Sequence, residues 1–355
     1  MKKIALVFAA TVLVYHSFSC KESITDSRPR VIRPPQEMIW TADTLKGFDQ
    51  YAQLTPENLL VFASNDAWLV CWSDIARRLI WHFDGKSWTE SNIAADVGGM
   101  RVRDIAGNSS SDLWACGYTG DEIFLAHYNG SRWTKYNTNG IKGDLLDMCK
   151  DAEGDLWACG RNGMIMKYDK TKWIVNQVKL KKPEQVDYFN KSIAENKGKI
   201  LFLISSVDKI TLEEKYYYAS GTLDNWVIID SMTITNKGSI KWGYRNLFSS
   251  SNQHLYSCGM AGIWSYENSQ WKLVSEASGA INNIFSDSDV YTIAVGDFKK
   301  ALFSNGITWS NFSNILNTND SSFVFKNVWT NGYETFICGY GNFGGKEKLV
   351  VWRGN

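Results

Sequence analysis

The sequence predicts an all-β fold, a seven-bladed β-propeller, and three observations support this prediction. The 355 residues include 16 Trp, 16 Tyr and 17 Phe but only 5 Pro, and aromatic side chains are favoured in strands. Alternating apolar runs are separated by turn pairs such as Asp84-Gly85 and Asn129-Gly130, which is typical of strands joined by hairpins. This pattern recurs seven times at about 48 residues per unit, the period of a four-stranded propeller blade.

The repeat is clearest in two segments, "DLWACGYTGDEIFLAHYNGSRWTKYN" from Asp112 and "DLWACGRNGMIMKYDKTKWIVNQ" from Asp155. An aromatic column opens the units at Trp68, Trp114, Trp157, Phe202, Tyr256, Tyr291 and Phe336. Two residues later stands an apolar column of Val70, Cys116, Cys159, Ile204, Cys258, Ile293 and Cys338. A second aromatic column closes the units at Trp88, Trp133, Trp173, Trp226, Trp271 and Trp309.

The two chain ends predict how the ring closes. The last unit ends at Asn355 after its third strand and lacks a closing Trp, whereas the segment Glu37 to Thr44 contains Trp40 in the position of one. We therefore predict that this N-terminal strand pairs into the last blade. Closure of this kind removes open sheet edges, which otherwise invite pairing with other chains.

A polar residue between apolar ones recurs before each hairpin, and it has two interpretations. Its members are Asn58, Asp104, Asp147, Asn246, Asn283 and Asn327, with Asn190 a looser fit. On the innermost strands these side chains could ring the central channel and bind a cation or polar ligand. Alternatively they hydrogen-bond neighbouring backbone, as Asp and Asn commonly do, and this is the interpretation we favour.

The N-terminus indicates export. Met1-Lys2-Lys3 precedes an apolar run of twelve residues, which is too short for a permanent membrane span, and Ser17-Phe18-Ser19-Cys20 follows. We predict a signal peptide over residues 1–19, a lipid anchor and Pro/Arg tether over 20–37, and the propeller over 38–355. Ordinary cleavage with Cys20 incidental is the alternative.

The segment around Cys20 resembles the lipoprotein signal of Bacteroidetes. In that signal the Cys becomes the lipidated first residue, and "KES" behind Cys20 is similar to the surface-export signal, although Ser17 and Ser23 depart from the pattern. The resemblance implies a protein of the bacterial cell envelope, anchored by lipid to the outer membrane and displayed inward or at the cell surface.

The closing turns resemble BNR/Asp-box propeller repeats. The matching segments are "FDGKSWTE", "YNGSRWTK", "YDKTKWIV", "YENSQWKL" and "FSNGITWS". The Trp and the turn match, but the leading Ser is absent and the Asp varies. The resemblance implies the fold and leaves function open, since one fold serves many tasks; a sialidase-like glycan-active hydrolase is the enzyme it suggests.

Catalytic and metal motifs are missing from the sequence. There is no Gly-x-Ser-x-Gly, P-loop, dinucleotide fingerprint or zinc-type His spacing. A sialidase needs an arginine cluster with a Tyr–Glu pair, for which Arg103, Arg161, Arg245 and the segment Glu213 to Ala219 are the only candidates. Most cysteines share columns with Val, Ile or Gly, and we predict that they are buried free thiols. A disulfide between Cys149 and Cys159 is the alternative. We expect no cofactor and no metal.

The sequence favours a non-catalytic binding or scaffold module, and it leaves the enzyme question open. Loops between second and third strands usually form the ligand surface of a propeller, and here they hold the candidate residues Trp72, Tyr118, Arg161, Tyr340 and Phe343. Aromatic faces beside an Arg suit a sugar or a protein hot spot. We expect a monomer that binds a glycan or an envelope protein. A net charge of +1 gives no argument for nucleic acid.

Overall fold

The structure is a computed structural model that describes residues 32–45, 54–73, 80–177, 186–234, 240–250, 252–260, 262–276, 279–318, 320–343 and 346–355. The predicted signal peptide, Cys20 and most of the predicted tether lie outside the described residues. For residues 186–191, 342, 343, 346 and 347 only the backbone is described. No helix among the described residues is long and apolar enough to cross a membrane.

Seven antiparallel four-stranded sheets form the predicted seven-bladed propeller. The N-terminal strand is β1 (Trp40–Thr44). Blade 1 contains β2 (Leu54–Ala63), β3 (Asp66–Ser73), β4 (Ile80–Phe83) and β5 (Trp88–Ser91). Blade 2 contains β6 (Arg101–Ser109), β7 (Asp112–Thr119), β8 (Glu122–Tyr128) and β9 (Trp133–Lys135). Blade 3 contains β10 (Leu145–Lys150), β11 (Leu156–Gly160), β12 (Met164–Tyr168) and β13 (Trp173–Gln177).

The remaining blades follow the same order, with the first strand innermost. Blade 4 contains β14 (Val186–Asn196), β15 (Lys199–Asp208), β16 (Glu214–Gly221) and β17 (Trp226–Ile234). Blade 5 contains β18 (Asn246–Ser249), β19 (Leu255–Gly259), β20 (Gly262–Glu267) and β21 (Gln270–Ser275). Blade 6 contains β22 (Ile281–Ser288), β23 (Tyr291–Gly296), β24 (Lys300–Ser304) and β25 (Trp309–Asn311). Blade 7 contains β26 (Val324–Thr330), β27 (Thr335–Phe343) and β28 (Lys346–Gly354).

The N-terminal strand closes the ring as predicted. Strand β1 pairs antiparallel with β28, placing Trp40 opposite Gly354 and Thr44 opposite Val350. The strand is shorter than the predicted segment, because Pro35–Glu37 form a 3-10 helix and the Trp40 indole donates to the Pro35 carbonyl at 2.9 Å. Two further short helices, Ile93–Val97 (α1) and the 3-10 helix Ser313–Leu316, lie between blades.

Polar side chains on the innermost strands join blades 2, 3, 4 and 6 each to the next blade, whereas Asn58 Oδ1 of blade 1 has no hydrogen-bond partner. Asp104 accepts the backbone N–H of Met148 at 2.6 Å, and Asp147 accepts that of Ile193 at 2.9 Å. Ser192 Oγ accepts the N–H of Leu247 at 3.1 Å, and Asn283 Oδ1 accepts that of Val328 at 3.4 Å. The polar column therefore carries hydrogen bonds between blades, the backbone-bonding interpretation that we favoured.

In two blades the predicted columns are shifted. In blade 2, Asp104 faces Cys116 directly after a β-bulge. The residue after the matching bulge is Ser192 in blade 4, opposite Leu203, and Asn283 in blade 6, opposite Val295. The apolar column thus contains Leu203 and Val295 instead of Ile204 and Ile293. The bulge is common to these blades, so it does not cause the shift. Leu201 and Ile293, two residues before Leu203 and Val295, occupy the position of Trp114, which the predicted columns assign to the aromatic residues Phe202 and Tyr291.

Large aromatic side chains fill the space between blades. Trp68 of blade 1 packs edge-on against Trp133 of blade 2 at 6.5 Å between ring centroids, and Trp114 packs against Trp173 of blade 3 at 5.3 Å. Edge-to-face pairs of this kind add stability beyond the burial of apolar area. The six described cysteines are free thiols, five of them buried, as their place in the apolar columns predicts.

Candidate functional site

The candidate residues of blades 1 to 3 lie where the second strand ends and the innermost strand begins. Trp72 is near the end of β3, opposite Thr55, and Tyr118 is near the end of β7, opposite Arg101. Arg161 follows β11 directly and its backbone N–H bonds to the Asp144 carbonyl at 2.9 Å. The structure therefore brings these three side chains to one face of three consecutive blades.

Small residues at the end of the second strand make this face compact. A Cβ on Gly117 would lie only 1.9 Å from the Arg101 carbonyl oxygen, and one on Gly160 would lie 2.0 Å from that of Asp144. Real Cβ atoms do not approach a carbonyl oxygen so closely. Any residue other than glycine at positions 117 and 160 would therefore collide with the innermost strand. The close approach places Arg101 and Asp144 beside the aromatic and basic side chains that follow the second strand.

Arg101 connects blade 1 to blade 2. Its guanidinium carbon lies 5.2 Å from the centroid of the Trp72 ring, within the range of a cation–π contact. Its Nη2 lies 3.4 Å from Glu57 Oε1, and both side chains keep about a quarter of their surface exposed. The guanidinium is thus held between an indole face and a carboxylate while remaining open to solvent.

Arg103 repeats this arrangement at the boundary of blades 2 and 3. Its guanidinium carbon lies 5.5 Å from the centroid of the Tyr118 ring. Its Nη2 bonds Asp144 Oδ2 at 3.2 Å, and Arg161 Nε lies 3.7 Å from the same oxygen. One carboxylate therefore positions two guanidinium groups, and Arg161 keeps 51% of its side chain exposed.

Burial and the two arginines act in opposite directions on Asp144. Its side chain is 6% exposed, and burial raises the pKa of this carboxyl, while Arg103 and Arg161 lower it; the net direction is upward. The buried carboxylate neutralises only part of the surrounding charge, since Arg101, Arg103 and Arg161 face two acids, Glu57 and Asp144. We call these three arginines together with Trp72 and Tyr118 the arginine face.

Sequence reasoning missed part of the arginine face. Arg101 was not singled out, and Arg103 was considered only for a sialidase-type cluster. Strand alternation would have placed residues 101 and 103 on the same side, but the bulge between Val102 and Asp104 turns Arg101 toward blade 1 and Arg103 toward blade 3. No sequence signal marks the partners Glu57 and Asp144, since each comes from another blade.

The other two predicted site residues, Tyr340 and Phe343, lie on β27 of blade 7. Tyr340 is half-buried on β27, opposite Val324 and Leu349 in blade 7. Phe343 is the last residue of the same strand, and only its backbone is described. Neither residue belongs to the arginine face as defined by contacts.

A sialidase-type arrangement is not assembled by the described residues. A Tyr–Glu pair does exist, since the Tyr216 hydroxyl donates to Glu214 Oε2 at 2.7 Å. It lies on β16 of blade 4, near Arg245, whereas Arg103 lies on β6 of blade 2 and Arg161 follows β11 of blade 3, so the three candidate arginines do not converge on it. Burial and the neighbouring Glu214 raise the pKa of Tyr216, which opposes formation of the phenolate that a tyrosine nucleophile requires.

Two other polar groups could attract a ligand. Asp151, Glu153 and Asp155 lie within 4.8 Å of one another, but Lys167 and Lys170 pair with Asp155 at 2.9 and 3.4 Å. The central channel encloses about 500 Å³ and is bordered by Asp147 and the asparagines of the polar column. Asp151 and Asp155 are thus paired with lysines, and Asp147 accepts the backbone N–H of Ile193.

Comparisons with known proteins identify the fold. No family model and no curated protein matches the sequence. A solved structure titled "YCF48 bound to D1 peptide" is 14% identical with a TM-score of 0.60, covering 92% of this chain and 96% of that chain. "YCF48 from Cyanidioschyzon merolae" is 12% identical with a TM-score of 0.58, covering 88% of this chain and 98% of that chain. At this identity the likeness shows that the chain shares the propeller fold of these proteins.

Proposed function

We propose that this chain is a non-catalytic binding module of the bacterial cell envelope, and that its arginine face binds a peptide segment of a partner protein. The observation that carries the proposal is the row of three guanidinium groups, two of them stacked on aromatic rings, along blades 1 to 3. Arg, Tyr and Trp are the side chains enriched in binding hot spots. The carboxylates that hold the guanidinium groups fix their positions before a partner arrives.

The charge of the face indicates what such a peptide contains. Arginine recognises carboxylates through paired N–H bonds, and a preformed site loses less side-chain entropy on binding. The side chains of Arg101, Arg103 and Arg161 remain 28%, 21% and 51% exposed, so a carboxylate can reach their guanidinium groups. We therefore infer a segment with at least one acidic group and one apolar side chain. The structural neighbour whose title names a bound D1 peptide shows that a propeller of similar fold holds a peptide.

Loss of the guanidinium groups should weaken peptide binding. The probe is a displayed library of random 12-residue peptides selected on the chain from residue 20 with Cys20→Ser. We expect Arg101→Gln and Arg103→Gln each to weaken the selected peptides at least tenfold in calorimetric titration, about 1.4 kcal/mol. Arg132→Gln, a change in an exposed turn of the same blade, should leave affinity unchanged.

Two outcomes would contradict the peptide proposal. One is selection of peptides that lack acidic residues and bind both glutamine variants as well as the parent. The other is a glycan-array signal on the same protein that Trp72→Ala or Tyr118→Ala removes, because the arginine face would then be a carbohydrate site. Release of sialic acid from a bound glycan would favour the hydrolase.

Cys20 should determine where the protein resides. If Cys20 carries lipid, Cys20→Ser in the full chain is expected to move the protein from the outer-membrane fraction to the soluble fraction. Stable anchoring by acyl chains adds about 0.8 kcal/mol per buried methylene, so the shift should be nearly complete. Ser19→Ala, which keeps a small residue before the cysteine, is the control. Continued membrane association of Cys20→Ser would contradict lipid anchoring at this residue.

A further inference from the structure

A cleft between blades 4 and 5 has the composition of a ligand site and is separate from the arginine face. It encloses about 420 Å³, within the ~300–1,000 Å³ range of small-molecule sites. The residues that define this blade 4–5 cleft are Tyr218, Asp230, Lys241, Trp264, Tyr266 and Trp271. We propose that it binds a saccharide, with one pyranose ring against the aromatic wall.

The wall of the cleft consists of packed aromatic rings. Trp271 lies 5.2 Å from Tyr218 and 5.0 Å from Tyr266 between centroids. Blade 5 places Trp264 at the position where blade 2 has the small Ala126. The C–H face of a pyranose packs against rings of this kind, while its hydroxyls remain available for polar groups at the edge.

The cleft exists because blade 4 departs from the repeat. In blades 1 and 2 the residue of the aromatic column is Trp68 or Trp114, and it packs against the closing Trp of the next blade. The structural equivalent in blade 4 is Leu201, two residues before Leu203. A leucine does not fill the space of an indole, so Trp271 contacts Tyr218 instead and a cleft remains.

Indole donors without acceptors indicate what the ligand must supply. Trp133 Nε1 donates to Ser91 Oγ at 2.9 Å, and Trp88 Nε1 donates to Asp43 at 3.2 Å. Trp264 Nε1 and Trp271 Nε1 have no hydrogen-bond partner, which is also true of the buried Trp173 and Trp242 Nε1. Both Trp264 and Trp271 border the cleft, so a ligand with hydroxyl oxygens offers the acceptors that these two N–H groups lack.

The rim of the cleft favours a neutral polyol over a charged ligand. Lys241 Nζ bonds Asp230 Oδ1 and the Ser231 carbonyl, both at 3.0 Å. This ion pair offers donors and an acceptor side by side with no net charge. A quaternary ammonium ion would supply no oxygen to the indoles and would be repelled by Lys241. A sugar has hydroxyls that both donate and accept, and so matches every group in the cleft.

The experiment is an array of neutral and acidic mono- to tetrasaccharides, probed with the chain from residue 20 carrying Cys20→Ser, followed by calorimetric titration of the strongest-binding saccharide. We expect Trp264→Ala and Lys241→Ala each to weaken that saccharide at least tenfold. Trp309→Ala, which removes the half-buried closing tryptophan of blade 6, should leave its affinity within twofold. Thermal unfolding of each variant confirms that it is folded.

The same variants distinguish this cleft from the arginine face. Arg103→Gln should leave saccharide affinity unchanged, and Lys241→Ala should leave affinity for selected peptides unchanged. The proposal is overturned if no saccharide on the array binds, if the variants at Trp264 and Lys241 bind as the parent does, or if Arg103→Gln removes the saccharide signal. Lys241 is exposed on the rim of the cleft, so we expect Lys241→Ala to fold. This variant therefore still tests the proposal if Trp264→Ala does not fold.

Discussion

A chain that begins at residue 46 should fail to fold or should unfold more than ~10 °C below a chain that begins at residue 32. The shorter chain lacks β1 and leaves β28 as an open edge. It loses five paired residues and the buried side chains of Met38 and Leu45. Because cores are close-packed, such losses add to many kcal/mol. Thermal unfolding followed by circular dichroism measures the difference.

A polar contact at the closure adds to this effect. Arg353 Nε bonds Asp43 Oδ2 at 2.7 Å and its Nη2 bonds Oδ1 at 3.3 Å, so the pair is bidentate. Trp88 of blade 1 donates to the same carboxylate at 3.2 Å. Asp43 thus joins the N-terminal strand to blade 7 and to blade 1, and its removal leaves a partly buried guanidinium without its partner.

A rearranged chain provides the control. Ile39 and Asn355 exchange backbone hydrogen bonds of 2.9 and 3.2 Å, so a tight turn can join Asn355 to a copy of residues 38–45. Appending that copy through Asn-Gly to the chain that begins at residue 46 should restore the unfolding temperature. Equal stability of the chains beginning at 32 and 46 would show that β1 does not close the ring.

Replacing Asp104 by Ala should destabilise the propeller by about 2–4 kcal/mol. Asp104 is 2% exposed, and its two oxygens accept the N–H groups of Ile105 and Met148 at 2.7 and 2.6 Å. A buried N–H without a partner costs about 1–3 kcal/mol. Asn283→Ala, which removes one longer bond of 3.4 Å to Val328, should cost less. Urea unfolding gives both values, and equal losses would contradict the ranking.

Replacing Asp104 by Asn should raise the free energy of unfolding at alkaline pH, whereas replacing it by Ala lowers that free energy. Burial, together with the neighbouring charge of Asp147, raises the pKa of Asp104 well above its usual value, and burial also raises that of Asp147. A raised pKa stabilises the fold below the pKa of the unfolded chain, near 3.9. That stability is lost as pH rises through the folded pKa, at up to about 1.4 kcal/mol per pH unit.

The parent chain should therefore lose unfolding free energy relative to Asp104→Asn as pH rises from 4 to 8. Asparagine keeps an acceptor for one backbone N–H, as Asn283 does at this position in blade 6 by accepting the N–H of Val328. Urea midpoints measured at several pH values for both chains test the sign. A difference that stays constant with pH, or one that grows in favour of the parent, would contradict the raised pKa of Asp104.

The repeat made most of the fold predictable. Blade number, strand order and closure by Trp40 all follow from alternation, turn residues and the missing last strand, because those signals are local or periodic. The column positions predicted for Asn190, Ile204 and Ile293 were wrong, because the columns were aligned on the aromatic residues Phe202 and Tyr291 whereas the structure has Leu201 and Ile293 at the position of Trp114. For the arginine face, the predicted loop position is correct for Arg161, whereas Trp72 and Tyr118 lie within β3 and β7 near the ends of these strands. The carboxylate partners could not be predicted.

By itself the sequence determined the all-β repeat, the number of blades, the apolar role of the cysteines and the strand that closes the ring. Periodic burial of apolar side chains encodes these features along the chain. Only the tertiary structure decided which charges meet, because Glu57, Arg101, Arg103 and Asp144 come from three different blades. It also decided that Leu201 opens a cleft beside Trp271, since an inter-blade space depends on the side chains of two blades at once.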